Sequence, residues 1–460
     1  EIIACTLALV PADSHEAGRL LSRYGGVLGA SEGDYDGAQQ ALSRAMDIAR
    51  REGDIALEVQ TLTYTALVNG QHLHWQESAD NGLRAIGLAT ADETPFYDQI
   101  SRFWTALGRL ALGNLDAARP HVLVMRDLAD RRSTPRLLAT NHLLVATTLA
   151  CLEGDWKSGR ELGDQGLEML PLHPLHLGTR ASLEFESGET AQGEVYLQRL
   201  PEAVSRNETD PRAQFRTSMT IATRARINGD SDRLEMAQAA AERVLAEQVV
   251  MPFFAIQANA ALALLAVQKG DGSAAAEHHE YLLGQRGTMI WTLSSVDRLL
   301  GLLSQTMGNL DQAVVHFEDA LAFCRRAGYR PELAWAYCDS ADVLQERNGP
   351  GDRAKAVDLL NESLAISTEL GMLPLMERVT ERLDRDQTQP PPAPSYPSGL
   401  SHREVEVLRL VAAGKTDREI AEELIISFRT VGNHVRNILN KTNTTNRTEA
   451  ATCAAHQGLT

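Results

Sequence analysis

The sequence predicts an all-α chain, a long stack of helical hairpins followed by a small helical domain of its own. Three observations carry that expectation. Of the 460 residues 43% are apolar but only 5% aromatic, and Ala and Leu recur throughout. Such a mix suits stacked helices better than strands, which favour β-branched and aromatic side chains. A glycine-led pattern repeats through the first 380 positions, and a proline-rich stretch then sets apart the residues from 400 onward.

The repeat comes first along the chain. A Gly, a small residue five places on, and apolar residues at helical spacing recur in "GDYDGAQQALSRAMDIA" from Gly33 and "GNLDAARPHVLVMRDLA" from Gly113. The pattern returns from Gly154, Gly188, Gly229, Gly270, Gly308 and Gly351, and a weaker copy, "HWQESADNGLRAIGLA", fills the gap after the first. Gly ends one helix cheaply because it accepts positive φ. The small residue (Ala38, Ala118, Gly159, Ala275, Ala313 or Ala356) then lets the next helix approach closely. This organisation resembles tetratricopeptide-like repeats, most closely in "GNLDQAVVHFEDAL" with Gly308, Ala313, Ala320 and Leu321. The resemblance implies an α-solenoid over residues 1–383, whose concave face binds peptides, partner helices or small ligands. A protein or small-molecule effector is therefore expected on the array.

Five of the seventeen prolines fall in "DRDQTQPPPAPSYPSG", residues 384–399. Proline removes donors and favours extended backbone, so this reads as a semi-rigid linker to a domain at 400–460. The formal charge of −17 divides unevenly there. Residues 400–460 hold eight Lys/Arg and seven Asp/Glu, leaving a balance of −18 on the preceding residues. An acidic body repels nucleic acid, so any DNA contact belongs to the tail.

Gly414-Lys415-Thr416 in the tail copies the end of a phosphate-binding loop, but the glycine required five residues earlier is Arg409. Gly414 instead ends a helix that carries Val407, Leu408 and Val411 on one face. Thr416 caps the next helix, with Glu419 completing a capping box, as Ser401 and Glu404 do one helix earlier. Ile420, Ala421 and Leu424 line that second helix, and Ile425, Ile426 and Ser427 make a turn with Ser427 as N-cap. A third helix sets an apolar stripe (Val431, Val435, Ile438) against a polar one (Arg429, Asn433, Arg436, Asn440). Arg429 and Arg436 are ~10 Å apart along its axis. Arg on such a face can fork onto guanine and Asn onto adenine in a major groove.

At these residues, "LSHREVEVLRLVAAGKTDREIAEEL" through "ISFRTVGNHVRNILNKTNTTNRTEAA", the tail resembles the DNA-binding domain of LuxR-type transcription regulators. The resemblance implies four helices, the third in the major groove of double-stranded DNA. It implies base-facing roles for Gly432, Asn433 and Arg436, and phosphate contacts for Thr430, Lys441 and Arg447. Arg429 joins this set from the polar stripe. The fourth helix, Thr448 to about His456, often pairs two domains; its small face (Ala450, Cys453, Ala454) suits a homodimer or internal packing equally. Gly432 stands where lysine is common, Thr442 where a core Leu is usual, and Asn443 replaces a usual Gly but tolerates the left-handed conformation.

An acidic repeat array ahead of such a tail is also similar to MalT-like regulators, in which a nucleotide-binding domain precedes the repeats. The chain opens at Glu1 without methionine or a signal-peptide pattern. A longer polypeptide is expected, with ATP binding confined to that upstream domain and no cofactor here. A signalling ATPase or cyclase would likewise need residues ahead of Glu1.

No catalytic or metal site is legible. "EHHEYLL" lacks the second His of a zincin because position 283 is Leu, and His72/His74 and His173/His176 have no third ligand at suitable spacing. The five cysteines are scattered without a CxxC pair, which argues for a reducing cytoplasm. No apolar run reaches the ~18 residues needed to cross a bilayer, so no membrane contact is expected. The sequence thus reads as a non-enzymatic cytoplasmic bacterial transcription regulator acting at promoter DNA, with RNA polymerase as a further partner. The rival reading is a repeat scaffold whose tail docks protein.

Overall fold

Gly33, Gly113, Gly154, Gly188, Gly229, Gly270, Gly308 and Gly351 all adopt positive φ, between 66° and 88°, each at the bend between two helices. The computed structural model describes the chain except residues 1, 90–94, 130–135, 207–210, 230–231, 292–293, 389–396, 425, 457–458 and 460. It divides into two compact units, Glu1–Leu383 and Asp384–Thr460.

In the first unit α1 (Ile2–Leu7) precedes a run of helix pairs: α2 (His15–Ser31) with α3 (Tyr35–Glu52), α4 (Ile55–Gln71) with α5 (Trp75–Leu88), and α6 (Pro95–Ala111) with α7 (Leu115–Ala129). Next come α8 (Arg136–Glu153) with α9 (Trp156–Met169), α10 (Pro174–Ser187) with α11 (Thr190–Arg206), and α12 (Pro211–Asn228) with α13 (Leu234–Leu245). The last pairs are α14 (Pro252–Lys269) with α15 (Gly272–Leu283), α16 (Val296–Thr306) with α17 (Leu310–Ala327), and α18 (Arg330–Arg347) with α19 (Asp352–Leu370); α20 (Leu373–Thr388) follows alone.

The small residues five places past the glycines are where the paired helices meet. Ala38, Ala118, Ala275, Ala313 and Ala356 are all fully buried. In the weak copy Leu73 takes the glycine's place at φ 65°, and Ser78 takes the alanine's. Ser78 is buried and donates to the Ala66 carbonyl at 2.7 Å, which satisfies its hydroxyl. A short antiparallel pair, β1 (Met289–Ile290) and β2 (Ser294–Ser295), sits between α15 and α16 and had no counterpart in the all-helical expectation.

A stack of hairpins need touch only its neighbours. This one folds back on itself. Phe323, Cys324, Ala327 and Tyr329 share one core with Leu110, Ala118, Val145 and Leu149. Trp156 donates to the Leu370 carbonyl at 2.7 Å, and Arg378 to the carbonyls of Arg226 and Ile227 at 2.6 and 2.9 Å. The late hairpins thus occupy part of the inner face that an open solenoid would leave to a ligand.

The buried His176 and the half-buried His72 each tie a helix to an earlier hairpin. His176 Nε2 lies 3.0 Å from the Thr140 carbonyl, and His72 Nε2 lies 2.9 Å from the Gly29 carbonyl. Residues 384–388, read from sequence as linker, continue α20; 389–396, with four of that stretch's five prolines, lie outside the described residues. Among the described residues no helix is long and apolar enough to cross a membrane.

Candidate nucleic-acid interface

The second unit holds a short 3-10 turn (Pro397–Gly399) and four helices, α21 (His402–Ala412), α22 (Asp417–Glu423), α23 (Phe428–Thr442) and α24 (Arg447–His456). Their ends are set by local chemistry. Ser401 and Glu404 cap α21 reciprocally, and Thr416 and Glu419 do the same for α22. Gly414, at φ 80°, turns the chain between them. The Gly-Lys-Thr stretch is therefore a helix stop and a cap. Ser427 caps α23 by accepting from the Thr430 amide at 3.1 Å; Ile425, in the turn before it, lies outside the described residues.

One face of α23 is core. Val431 and Ile438 are buried with Val407, Leu408, Val411 and Ile420, and Val435 and Leu424 are partly buried beside them. Thr442 extends this stripe without orphaning its hydroxyl, which donates to the Ile438 carbonyl at 2.8 Å. Asn443 then ends the helix in the left-handed conformation, φ 52°.

The opposite face is presented outward. Arg429, Asn433, Arg436 and Asn440 are all exposed, as is Asn437 between them, which the stripe reading left out. Gly432 lies on the same side, and a Cβ built there would meet nothing within 4 Å. Thr430 sits at the helix start, its hydroxyl 2.7 Å from that of Ser427. Hydroxyls and amides at a helix N-terminus favour an anion such as phosphate. Phe428, 63% exposed, stands beside them.

Two of the basic residues expected at the interface are engaged within the domain. Lys441 Nζ binds Glu404 Oε2 at 2.8 Å. Burial disfavours the charged Glu404 carboxylate, but Lys441 and the Ser401 amide outweigh it and hold the group below the usual carboxylate range. Arg447 pairs with Asp417 and bonds the Lys415 carbonyl, which fastens α24 to the start of α22. Neither tie was legible, because the partners lie 37 and 30 residues away. Arg403, unremarked in the sequence, caps α22 by donating to the Leu424 carbonyl at 2.8 Å. Ala450 and Ala454 are buried in the domain's own core, so most of the small face of α24 goes to internal packing.

Outside this surface, Asp297, His316 and Asp319 bring potential ligand atoms within 4.8 Å of one another. Arg286 sits on both carboxylates and supplies their positive charge.

A family model described as bacterial regulatory proteins, luxR family, matches residues 398–454, and a tetratricopeptide repeat model matches 292–369. The chain is similar to the transcriptional regulatory protein LiaR of Bacillus subtilis (strain 168), 51% identical over 60 residues, 13% of this chain and 28% of LiaR. It is 48% identical over 60 residues to the regulatory protein SdiA of Escherichia coli (strain K12), 13% of this chain and 25% of SdiA. The chain spans less than a third of either relative's length. To the HTH-type quorum-sensing regulator RhlR of Pseudomonas aeruginosa it is 42% identical over 170 residues, 34% of this chain and 69% of RhlR. With a capped four-helix unit of this kind at residues 398–454, the chain belongs to the LuxR family of bacterial regulatory proteins and joins a LuxR-type helix-turn-helix domain to tetratricopeptide repeats.

Proposed function

We propose that this chain is a cytoplasmic, non-enzymatic transcription regulator whose α23 enters the major groove of promoter DNA. The repeat unit receives a ligand or protein signal. The observation that carries the reading is the division of α23 into a buried apolar face and an outward stripe of Arg429, Asn433, Arg436 and Asn440. Asn433 and Arg436 read base edges, with Gly432 leaving room beside them, while Arg429 and Thr430 hold phosphates at the helix start. Lys441 and Arg447 reach phosphate only by giving up Glu404 and Asp417, so they rank below the others. Two tails pair on adjacent half-sites through the outer face of α24, with RNA polymerase as the downstream partner. No cofactor is assigned to these residues.

The second reading, a tail that docks protein, draws on the exposed Phe428 and on the two engaged bases. One experiment separates them. The full chain is used to select from a random duplex library across a salt series, beside Arg436→Ala. Sequence enrichment that the substitution erases, with affinity falling by ~0.9 log units per log unit of salt for each phosphate neutralised, establishes a specific reader. Weak, sequence-blind binding that ignores the substitution favours docking.

A further inference from the structure

"EHHEYLL" lacks the second histidine of a zincin within its own helix, because position 283 is Leu. The fold supplies one from another helix. His279 on α15 and His316 on α17 are 8% and 4% exposed, and their Nε2 atoms face each other at 3.2 Å. The ring centroids are 5.3 Å apart and the planes inclined by 64°, so neither ring covers the other's nitrogen. Gln312 stands one turn before His316, with its amide nitrogen 3.4 Å from the same His279 Nε2. Three side chains from two helices thus converge.

A hydrogen bond between the rings accounts for only part of this. It leaves His316 Nδ1 buried without a partner. Asp297 Oδ1 is also buried without a hydrogen bond, with Arg286 Nε no nearer than 3.5 Å. Carboxylate oxygens of Asp297 and Asp319 lie within 4.8 Å of a ring nitrogen of His316. Unpaired polar atoms at such depth are costly, and two together ask for a reason.

The spacing fits a shared metal ion. A tetrahedral ion with Zn–N bonds of ~2.0–2.1 Å holds two imidazole nitrogens ~3.3 Å apart, against the 3.2 Å found. Both rings then bind through Nε2 and carry their proton on Nδ1. That gives His316 Nδ1 a proton to donate, toward the carboxylates on its flank. A carboxylate behind a ligating imidazole fixes the tautomer in this way. Turning the Gln312 amide over presents Oε1 in place of its nitrogen. Three protein ligands leave the fourth position to water.

Charge points the same way. Asp297 and Asp319 share one guanidinium, that of Arg286, so with both ionised the cluster is one charge negative and favours a cation. Burial holds both imidazoles below their ordinary value, and the neutral ring is the form that ligates. Gln312 is exposed, which leaves a way in from solvent.

We propose that His279, His316 and Gln312 bind a late first-row divalent cation, with Zn²⁺ the best match to the spacing. The ion fastens α15 to α17, the second helix of one hairpin to the second helix of the next. Nitrogen donors select it over Mg²⁺ and Ca²⁺, which prefer oxygen. Reading by spacing missed the pair because its members are 37 residues apart. The site is independent of the DNA reading, and either can fail without the other.

The test uses the full chain, stripped with chelator and titrated with Co²⁺ as a visible stand-in for Zn²⁺. One equivalent is expected to bind with the visible absorption of a four-coordinate ion and without a thiolate charge-transfer band. Zn²⁺ should displace it and Mg²⁺ should not. His279→Gln keeps a hydrogen-bond partner for His316 but removes an imidazole. It should weaken Co²⁺ binding about tenfold or more at unchanged helix content, and His316→Gln should do the same. His278→Gln, next in the chain but engaged with Asn259 at 3.2 Å, should bind as the parent does. Zn²⁺ should raise the thermal midpoint of the parent and not that of His279→Gln. Folded chain that takes up no Co²⁺ would overturn the proposal and leave the pair as a hydrogen bond alone. So would Co²⁺ absorption that survives both His279→Gln and His316→Gln, or a thiolate band, which would move the ion to the cysteines.

Discussion

Arg447 shows how one side chain can be claimed twice. Its place at the start of α24 suits a phosphate contact, yet in the fold it joins Asp417 and the Lys415 carbonyl. The two roles predict different numbers. Arg447→Ala is expected to lower tail stability by about 1 kcal/mol, since the pair is only partly buried and the carbonyl loses a charge-assisted bond. It should leave the log–log salt slope of DNA binding unchanged. A slope reduced by ~0.9 at unchanged stability would return Arg447 to the phosphate-contact set. Thermal unfolding beside a salt series reads both. At this scale the caps were open to sequence reasoning because Ser401, Thr416, Ser427 and Asn443 act on amides and carbonyls only a few residues away. The ties of Arg447, Lys441 and Arg403 were hidden because they depend on how helices meet.

The helical pair is where sequence and fold correspond most closely, because a left-handed bend and a small residue five places later are both local demands. Even so, the fourth and fifth helices meet that demand with Leu73 and Ser78, and no glycine marks the place. The bends are not equivalent. Gly308, at φ 77°, has nothing within 4 Å of where a Cβ would stand, whereas Gly113, at φ 75°, faces Phe323 and Ala327 at 2.9 and 3.1 Å. Alanine at Gly308 should cost about 1 kcal/mol for the left-handed backbone alone. Alanine at Gly113 should cost that plus the displacement of Phe323, a further ~1 kcal/mol or more. Denaturant unfolding of the two variants measures the difference. Equal losses would mean that α17 does not press on the α6–α7 bend in solution. The β1–β2 pair escaped the reading because two-residue strands carry no period.

At the scale of the molecule the buried charges set opposing responses to acid. Burial pushes His173 down to about 3 and His176 to about 4. His176 Nδ1 has no partner to receive a second proton's bond. The unfolded chain therefore binds more protons than the folded one between about 4 and the ordinary 6.5, and stability falls as pH drops through that window. For His176 the full loss is on the order of 3 kcal/mol. Glu186, raised to about 7, acts in the other sense, since its folded form takes up a proton between 7 and the ordinary 4.5 and gains stability as pH falls there. Helix content followed against pH should thus show His176→Gln flattening the acid loss and Glu186→Gln steepening it; parallel profiles would mean that neither group is sequestered. The Glu186 environment was not visible in the chain's order, because Trp335 and Arg298 come from hairpins that meet it only after the stack has turned back on itself. That return contact has a further consequence, for how such a chain can change its length. An open solenoid gains or sheds a hairpin and remains a solenoid. Here the late hairpins must arrive opposite the early ones in a fixed phase, like the overlapping ends of a split ring. One hairpin more or fewer between α7 and α17 would rotate Tyr329 away from Leu110 and Arg378 away from Arg226. In this unit the number of repeats is therefore part of the fold, and lineages can vary it only where the ring does not close.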